Sequence, residues 1–420
     1  MTTEKHFLPV LLVLTLLLGG NIALAQDNFP FQPDSEYQER GKTTAYERFL
    51  EEENIPVYTG WAKQMYTAPV KPWKRHGTGV SGAYANLEGT GGSVDNWVME
   101  LAPGATSKPV RHMYDENLLI LSGEGETHIW REAAPDKKAV IRWRKGTLFV
   151  PPLNTWHQHF NKGSEPARIV AETSLPLIMD IYRSNDFVFN NPFDFPERYN
   201  SEPDYFDPEN SVNYGPTTDH HSLSVVNLVR NVWTARLFNA GQGYKDIDRH
   251  FNMSESSIGS HVEQFPVGTY ERAHYHNAGA TIVLLTGTGY SLLWPSSVSD
   301  TPWKDGKGDQ VHRTNWESGV LFVPPTNWYH QHFNNGVEPA RFIRLGSPPG
   351  TETHPIGAEG LKSGNTQLSF KDEDPYVRDL LAQEMIDNGG KIAMPPREEL
   401  IRLEEEAGGK FIVLSAEELK

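Results

Sequence analysis

Cysteine is absent from the 420 residues, which removes disulfides, thiolate metal ligands and cysteine nucleophiles together. Basic charge is scarce, with 38 Lys plus Arg against 54 Asp plus Glu and a formal net charge of -16. That balance argues against nucleic acid or an anionic membrane surface as a partner. Only one long apolar run occurs, Phe7 to Leu18, so no stable membrane insertion is expected once that segment is removed. No Gly-x-Ser-x-Gly elbow, Walker loop or His-Glu-x-x-His helix is present. The Gly-x-Gly turns at Gly123 and Gly287 are not followed by the helix that a dinucleotide loop needs.

What is present is turn-rich and aromatic: 36 Gly, 30 Pro, 19 Phe, 16 Tyr and 11 Trp. This is the composition of a folded chain, long enough for more than one core. At the N-terminus, Lys5 and His6 precede the apolar run, and Ala23-Leu24-Ala25 follows it. These are the three parts of a secretory signal over residues 1–25, which predicts cleavage after Ala25 and a secreted or periplasmic protein. Glu4 and Lys5 leave together, so the mature charge stays at -16.

Internal repetition is the informative feature. The segment Gly104-x5-Val110-x-His112-x3-Glu116-x6-Gly123 aligns without a gap on Gly268-x5-His274-x-His276-x3-Ala280-x6-Gly287, 164 positions later. Further on, Gly146-x5-Pro152-x-Asn154-x2-His157-x3-Asn161 aligns on Gly319-x5-Pro325-x-Asn327-x2-His330-x3-Asn334, at an offset of 173. Short β-branched and aromatic stretches separated by Gly, Pro and Asn surround both copies and predict antiparallel all-β domains. Helices are expected over Thr43 to Glu53, from Tyr376 to Ile386 behind an Asp374-Pro375 cap, and from Arg397 to Ala407. The acidic run Glu404 to Glu406 then reads as a solvent-facing helix surface. The resulting division is an N-terminal extension over 26–78, a first domain over 79–183 and an ordered, aromatic-rich crossover over 184–220. A second domain over 221–350 and a helical C-terminal extension over 351–420 complete it.

The two-part spacing in both copies resembles the signature of the cupin family. The chain therefore looks like a bicupin, with two tandem double-stranded β-helix (jelly-roll) barrels and short helical extensions at either end. In that family the two histidines and glutamate of the first part, with the histidine of the second, bind a divalent metal inside the barrel. On this resemblance His274, His276 and His330 form the favoured centre, although Ala280 stands where the glutamate would be. His-x-His on a strand sends both rings to one face, and three imidazoles leave coordination positions open. The first copy offers His112, Glu116 and His157 as a second metal set, with Val110 at the first histidine position. The reading favoured over it is a barrel that has lost its metal and serves as a scaffold, with room for an organic ligand pocket.

His159 and His332 lie two residues beyond the third ligand position, and are candidates for supporting hydrogen bonds or proton transfer. Tyr290, Trp294 and Trp328 are candidate pocket walls, with ordinary barrel core as the competing reading. Glu271 reads as a solvated edge carboxylate, with approach to an open metal site as the alternative, and Asn154 and Asn327 read as left-handed turn residues. An all-histidine site is similar to those of gentisate-type ring-cleaving and thiol dioxygenases. The resemblance therefore implies Fe(II), with Zn, Cu, Ni and Mn as alternatives, and dioxygen chemistry on a small anionic or aromatic substrate. A non-enzymatic binding protein for a small anionic, aromatic or carbohydrate ligand is the alternative, and a homo-oligomer is compatible with either. Oxalate chemistry is disfavoured, because Val110 and Ala280 each break the full four-ligand set.

Overall fold

The computed structural model describes residues 43–214, 222–239, 244–275, 280–346 and 367–406. The expected signal segment, 1–25, lies outside them, as does His276. No described helix is long and apolar enough to cross a membrane.

The first copy contributes seven major strands: β1 (Val80–Ala85), β2 (Asp95–Leu101), β3 (Glu116–Ser122), β4 (Glu124–Trp130), β5 (Ala139–Arg144), β6 (Trp156–Asn161) and β7 (Ala167–Thr173). The second contributes β8 (Ile247–Asn252), β9 (Ser260–Phe265), β10 (Thr281–Thr286), β11 (Gly289–Pro295), β12 (His312–Trp316), β13 (Trp328–Phe333) and β14 (Ala340–Leu345). In each copy the strands divide into a large sheet and a three-stranded one. The first pair runs β1-β2-β7-β3 and β6-β4-β5, and the second runs β8-β9-β14-β10 and β12-β11-β13. Two facing sheets per copy is a sandwich arrangement. Among the described residues the pairing does not close either copy into a continuous barrel, so the all-β expectation stands in its coarser, double-sheet form.

Why these runs are apolar on both sides follows from where the large sheets sit. Along β3, Leu118 and Ile120 face the core of their own copy, whereas Leu119 and Leu121 face the other copy. In β10, Ile282 and Leu284 face inward, and Val283 and Leu285 meet the first copy's sheet. Side chains alternate with period two, so a strand buried on both faces reads as an unbroken apolar run. The junction between the copies is thus a hydrophobic sheet-on-sheet contact.

Short strands cross that junction in both directions. Ala62–Gln64, from the N-terminal extension, pairs antiparallel with Val320–Phe322 of the second copy. Reciprocally, Leu228–Val229 pairs with Leu148–Phe149 of the first. Backbone hydrogen bonds therefore reinforce the apolar contact and cover sheet edges that would otherwise be unpaired.

Helices flank the sheets. The N-terminal α1 (Ala45–Glu53) and the C-terminal α4 (Pro375–Asp387) and α5 (Arg397–Glu406) fall where capping signals place them. Asp374 accepts a hydrogen bond from the Tyr376 amide at 3.0 Å, as an N-cap should. Two helices after β7, α2 (Leu175–Tyr182) and α3 (Asn185–Asn190), were not anticipated. Ser184 caps the second of these through its side chain, accepting from Phe187 N at 3.1 Å. Glu404 corrects the solvent-facing reading of its acidic run: it is buried, pairs with Arg272 and accepts from Phe370 N at 2.9 Å.

Polar groups are also trapped at the junction. Glu172 is fully buried and accepts from Thr281 N at 3.3 Å, while Thr281 Oγ1 donates to Asn96 Oδ1 at 2.8 Å. Burial raises the Glu172 carboxyl to about 8, outweighing the hydrogen bonds from Thr281. A carboxyl raised on folding contributes stability that is full below its unfolded value and lost as pH rises through the folded one. The expected outcome is that wild-type thermal stability falls between about pH 5 and pH 8 more steeply than that of Glu172→Gln. Calorimetric melting of both proteins across that range checks this, and parallel curves would count against it.

Candidate metal centre

Glu116 opens β3, and pairing of that strand with β7 fixes its backbone opposite Thr173. His157 lies on β6, and His112 lies in the segment leading into β3. Val110 N donates to His157 O at 3.0 Å, and His157 N donates to Val110 O at 2.9 Å, which holds the two segments together. Three buried side chains consequently meet. Glu116 Oε1 stands 3.2 Å from His112 Nε2 and 3.2 Å from His157 Nε2, and the three ligand atoms all lie within 4.8 Å of one another.

The rings are oriented from behind. His112 Nδ1 lies 2.8 Å from the Tyr114 carbonyl, and His157 Nδ1 lies 3.3 Å from that of Thr155. A proton on each Nδ1 would donate to those carbonyls and leave each Nε2 lone pair directed at Glu116. Tyr114 also stacks on His112, with centroids 3.6 Å apart and planes 7° from parallel. Burial alone would raise the Glu116 carboxyl, but the two adjacent imidazoles, when protonated on Nε2, outweigh burial and hold the carboxyl well below its usual range. Despite these short approaches, Glu116 Oε1 and His112 Nε2 have no aligned hydrogen-bond partner. Two imidazole nitrogens and a carboxylate, buried and converging, with His112 Nε2 and Glu116 Oε1 left unsatisfied, fit a divalent transition metal.

A cavity of about 190 Å³ opens onto this cluster. Four of its walls, Phe49, Trp73, Arg75 and His76, come from the N-terminal extension. Glu53 at the end of α1 accepts from Trp73 Nε1 and from the Arg75 guanidinium at 2.6 and 2.9 Å. Arg111, on the opposite side, pairs with Glu132 at 2.6 Å and lies 4.7 Å over the Trp156 ring. Sequence reasoning missed these extension residues because they stand outside both repeats. The run Trp73-Lys74-Arg75-His76 before Gly77 was the available signal.

His159 also lines the cavity. Its Nδ1 lies 2.8 Å from Thr127 Oγ1, which accepts from Trp143 Nε1 at 2.9 Å. The second copy repeats the arrangement, with His332 Nδ1 2.7 Å from Ser291 Oγ and Trp316 Nε1 donating to that hydroxyl at 3.0 Å. Burial, with His157 close by, lowers His159 to about 3, so it is uncharged at neutral pH. His159 therefore acts as a neutral, oriented ring.

In the second copy, His274 and His330 exchange backbone hydrogen bonds of 3.1 and 2.8 Å, and their ring centroids lie 4.2 Å apart. Glu271 is fully buried, which corrects the solvated-edge reading. Its Oε1 stands 3.4 Å from His332 Nε2 and 3.9 Å from His274 Nδ1. Tyr290 and Trp294 sit on the face of β11 opposite Ser291, packed in the core with residues of the C-terminal extension. Trp328 is half-buried at the start of β13, 5.3 Å from the Trp61 ring. Asn154 and Asn327 adopt φ of 56° and 60°, the left-handed conformation expected of them.

Residues 97–172 match the cupin domain family. The cupin match spans β2 to β7 and contains all three converging side chains. Comparison with curated proteins finds no match. Among solved structures, the chain is similar to the formate complex of Lactobacillus farciminis oxalate decarboxylase, at 13% identity and a TM-score of 0.44, covering 69% of this chain and 86% of that one. A variant of Bacillus subtilis oxalate decarboxylase is similar at 14% identity and a TM-score of 0.44, covering 77% of this chain and 86% of that one. Likenesses this remote assign neither substrate nor residue roles.

The shared Trp-hydroxyl-His arrangement is testable by itself. Thr127→Val removes the hydroxyl and leaves a buried indole N–H and an imidazole nitrogen unpaired, at a cost of about 1–3 kcal/mol. Denaturant unfolding should show that loss for Thr127→Val and little loss for Thr127→Ser. Equal stability of all three proteins would contradict it.

Proposed function

We propose that the chain is an exported metal-dependent cupin protein acting on a small anionic or aromatic molecule in the first-copy cavity. The observation that carries this reading is the buried meeting of His112, Glu116 and His157 beneath that cavity. A divalent ion held there would supply Lewis acidity and, as Fe(II), access to dioxygen chemistry. The protein's own contributions are separate. Glu116 and the two imidazoles offer one negative charge and three donor atoms. The aromatic walls exclude water and orient a flat ligand, and the neutral His159 ring adds no competing charge. Fe(II) with oxidoreductase, dioxygenase activity is the enzymatic form of this reading, and ligand binding without turnover is its alternative.

A second centre at His274, His276 and His330 is a further reading. The closeness of the His274 and His330 rings favours it, and the interior Glu271 brings a carboxylate to a copy that carries Ala280 at the motif position. Export of the mature chain from residue 26 follows from the N-terminal signal pattern.

Elemental analysis of anaerobically purified protein tests the assignment. Roughly one metal ion per chain is expected at the first copy, lost in His112→Ala and His157→Ala folded controls and retained in His274→Ala. Retention in the first two variants with loss in His274→Ala or His276→Ala would move the centre to the second copy. Substrate-dependent oxygen consumption by the iron-loaded protein then separates catalysis from binding.

A further inference from the structure

His76 belongs to neither repeat, yet it forms part of the wall above the first-copy cluster. A tight turn places it: His76 N donates to Trp73 O at 3.0 Å, and Lys108 N donates to His76 O at 2.7 Å. The ring rests against Trp73, with centroids 4.1 Å apart. Trp73 is in turn held by Glu53. The residue is 8% exposed, and its Nδ1 is buried without a hydrogen-bond partner. Unpaired buried polar atoms are costly and therefore uncommon in folded proteins, so one kept in a cavity wall points to a partner that arrives from outside.

His76 stands outside the group whose ligand atoms converge, so the metal is not that partner in this arrangement. The neighbouring cations are also engaged, Arg75 with Glu53 and Arg111 with Glu132. Among these three wall residues, His76 Nδ1 and Arg111 Nε are buried without a hydrogen-bond partner, and His76 is the one whose side chain makes no ion pair.

We propose that His76 is a direct ligand contact of the first-copy cavity, hydrogen-bonding a hydroxyl group carried by a small ring-shaped molecule. The aromatic walls receive the ring and the imidazole receives the hydroxyl proton. This assignment rests on the reading of the cavity as the ligand site and deepens it to hydroxyl-bearing ligands. The N-terminal extension then becomes part of the site, because α1 fixes the turn that presents His76.

Phenol and toluene are suitable probes, since they share a ring and differ in the hydroxyl. Their affinities for the full mature chain would be measured by titration calorimetry, without metal and with Mn(II). Affinity for Mn(II) alone would be measured separately. Wild-type protein should prefer phenol. His76→Leu should reduce that preference about tenfold, the worth of one buried hydrogen bond, with toluene and Mn(II) binding unchanged. His76→Asn, which keeps a polar group, should recover part of the preference, and His76→Phe, which keeps a ring against Trp73, should behave as His76→Leu if the leucine variant fails to fold. An unchanged phenol preference in His76→Leu, or no preference in wild type, overturns the proposal. A large loss of Mn(II) affinity in folded His76→Leu also overturns it, by making His76 a metal ligand. Absence of Mn(II) binding in wild type with the phenol preference intact would defeat the metal-centre reading while leaving the His76 contact standing.

Discussion

An ionised carboxylate buried in a protein interior needs compensating charge, and Glu116 is the point at which this chain meets that requirement. Its backbone is fixed by β3, whose side chains are buried alternately in the first-copy core and in the contact between the copies. The carboxylate cannot swing to solvent without disturbing that strand. Compensation must therefore come to it, and two neutral imidazoles with their Nε2 lone pairs directed inward supply none. A divalent cation held by the three side chains would complete the balance.

The same packing explains why the two copies act as one folded unit. Each large sheet uses one face for its own core and the other for its neighbour, so neither large sheet keeps a solvent-facing side. Edge strands exchanged across the contact add backbone hydrogen bonds to the apolar seam. The extension supplying Ala62–Gln64 to the second copy also supplies Trp73, Arg75 and His76 to the cavity of the first. One segment thus ties assembly of the two copies to completion of the ligand wall.

Much of this was legible in the residues. The repeats showed paired all-β domains, the Asp374-Pro375 cap showed a helix, and Asn154 and Asn327 stand in the left-handed turns their type suits. The resemblance also pointed to His112, Glu116 and His157, although it ranked them below the histidine-rich second copy. Spacing could not weigh the three residues because it does not show that the Glu116 oxygen is left without an aligned hydrogen bond. Burial at a distance was equally hidden: Glu271 and Glu404 look like surface acids until β-pairing and helix docking enclose them. The helices after β7 were not expected: α2 closes the first domain directly behind its last strand, and α3 lies in the segment read as an aromatic-rich crossover. Cavity residues outside the repeats carried no periodic mark at all.

The central claim is that a metal ion sits between His112, Glu116 and His157. Anomalous X-ray scattering from crystals of Mn(II)-loaded protein tests it most directly, because the peak locates the ion independently of the protein atoms. The account predicts a peak about 2.0–2.3 Å from His112 Nε2, His157 Nε2 and a Glu116 carboxylate oxygen. A fully loaded protein whose peak lies elsewhere, with these three side chains still converging around no ion, would contradict it.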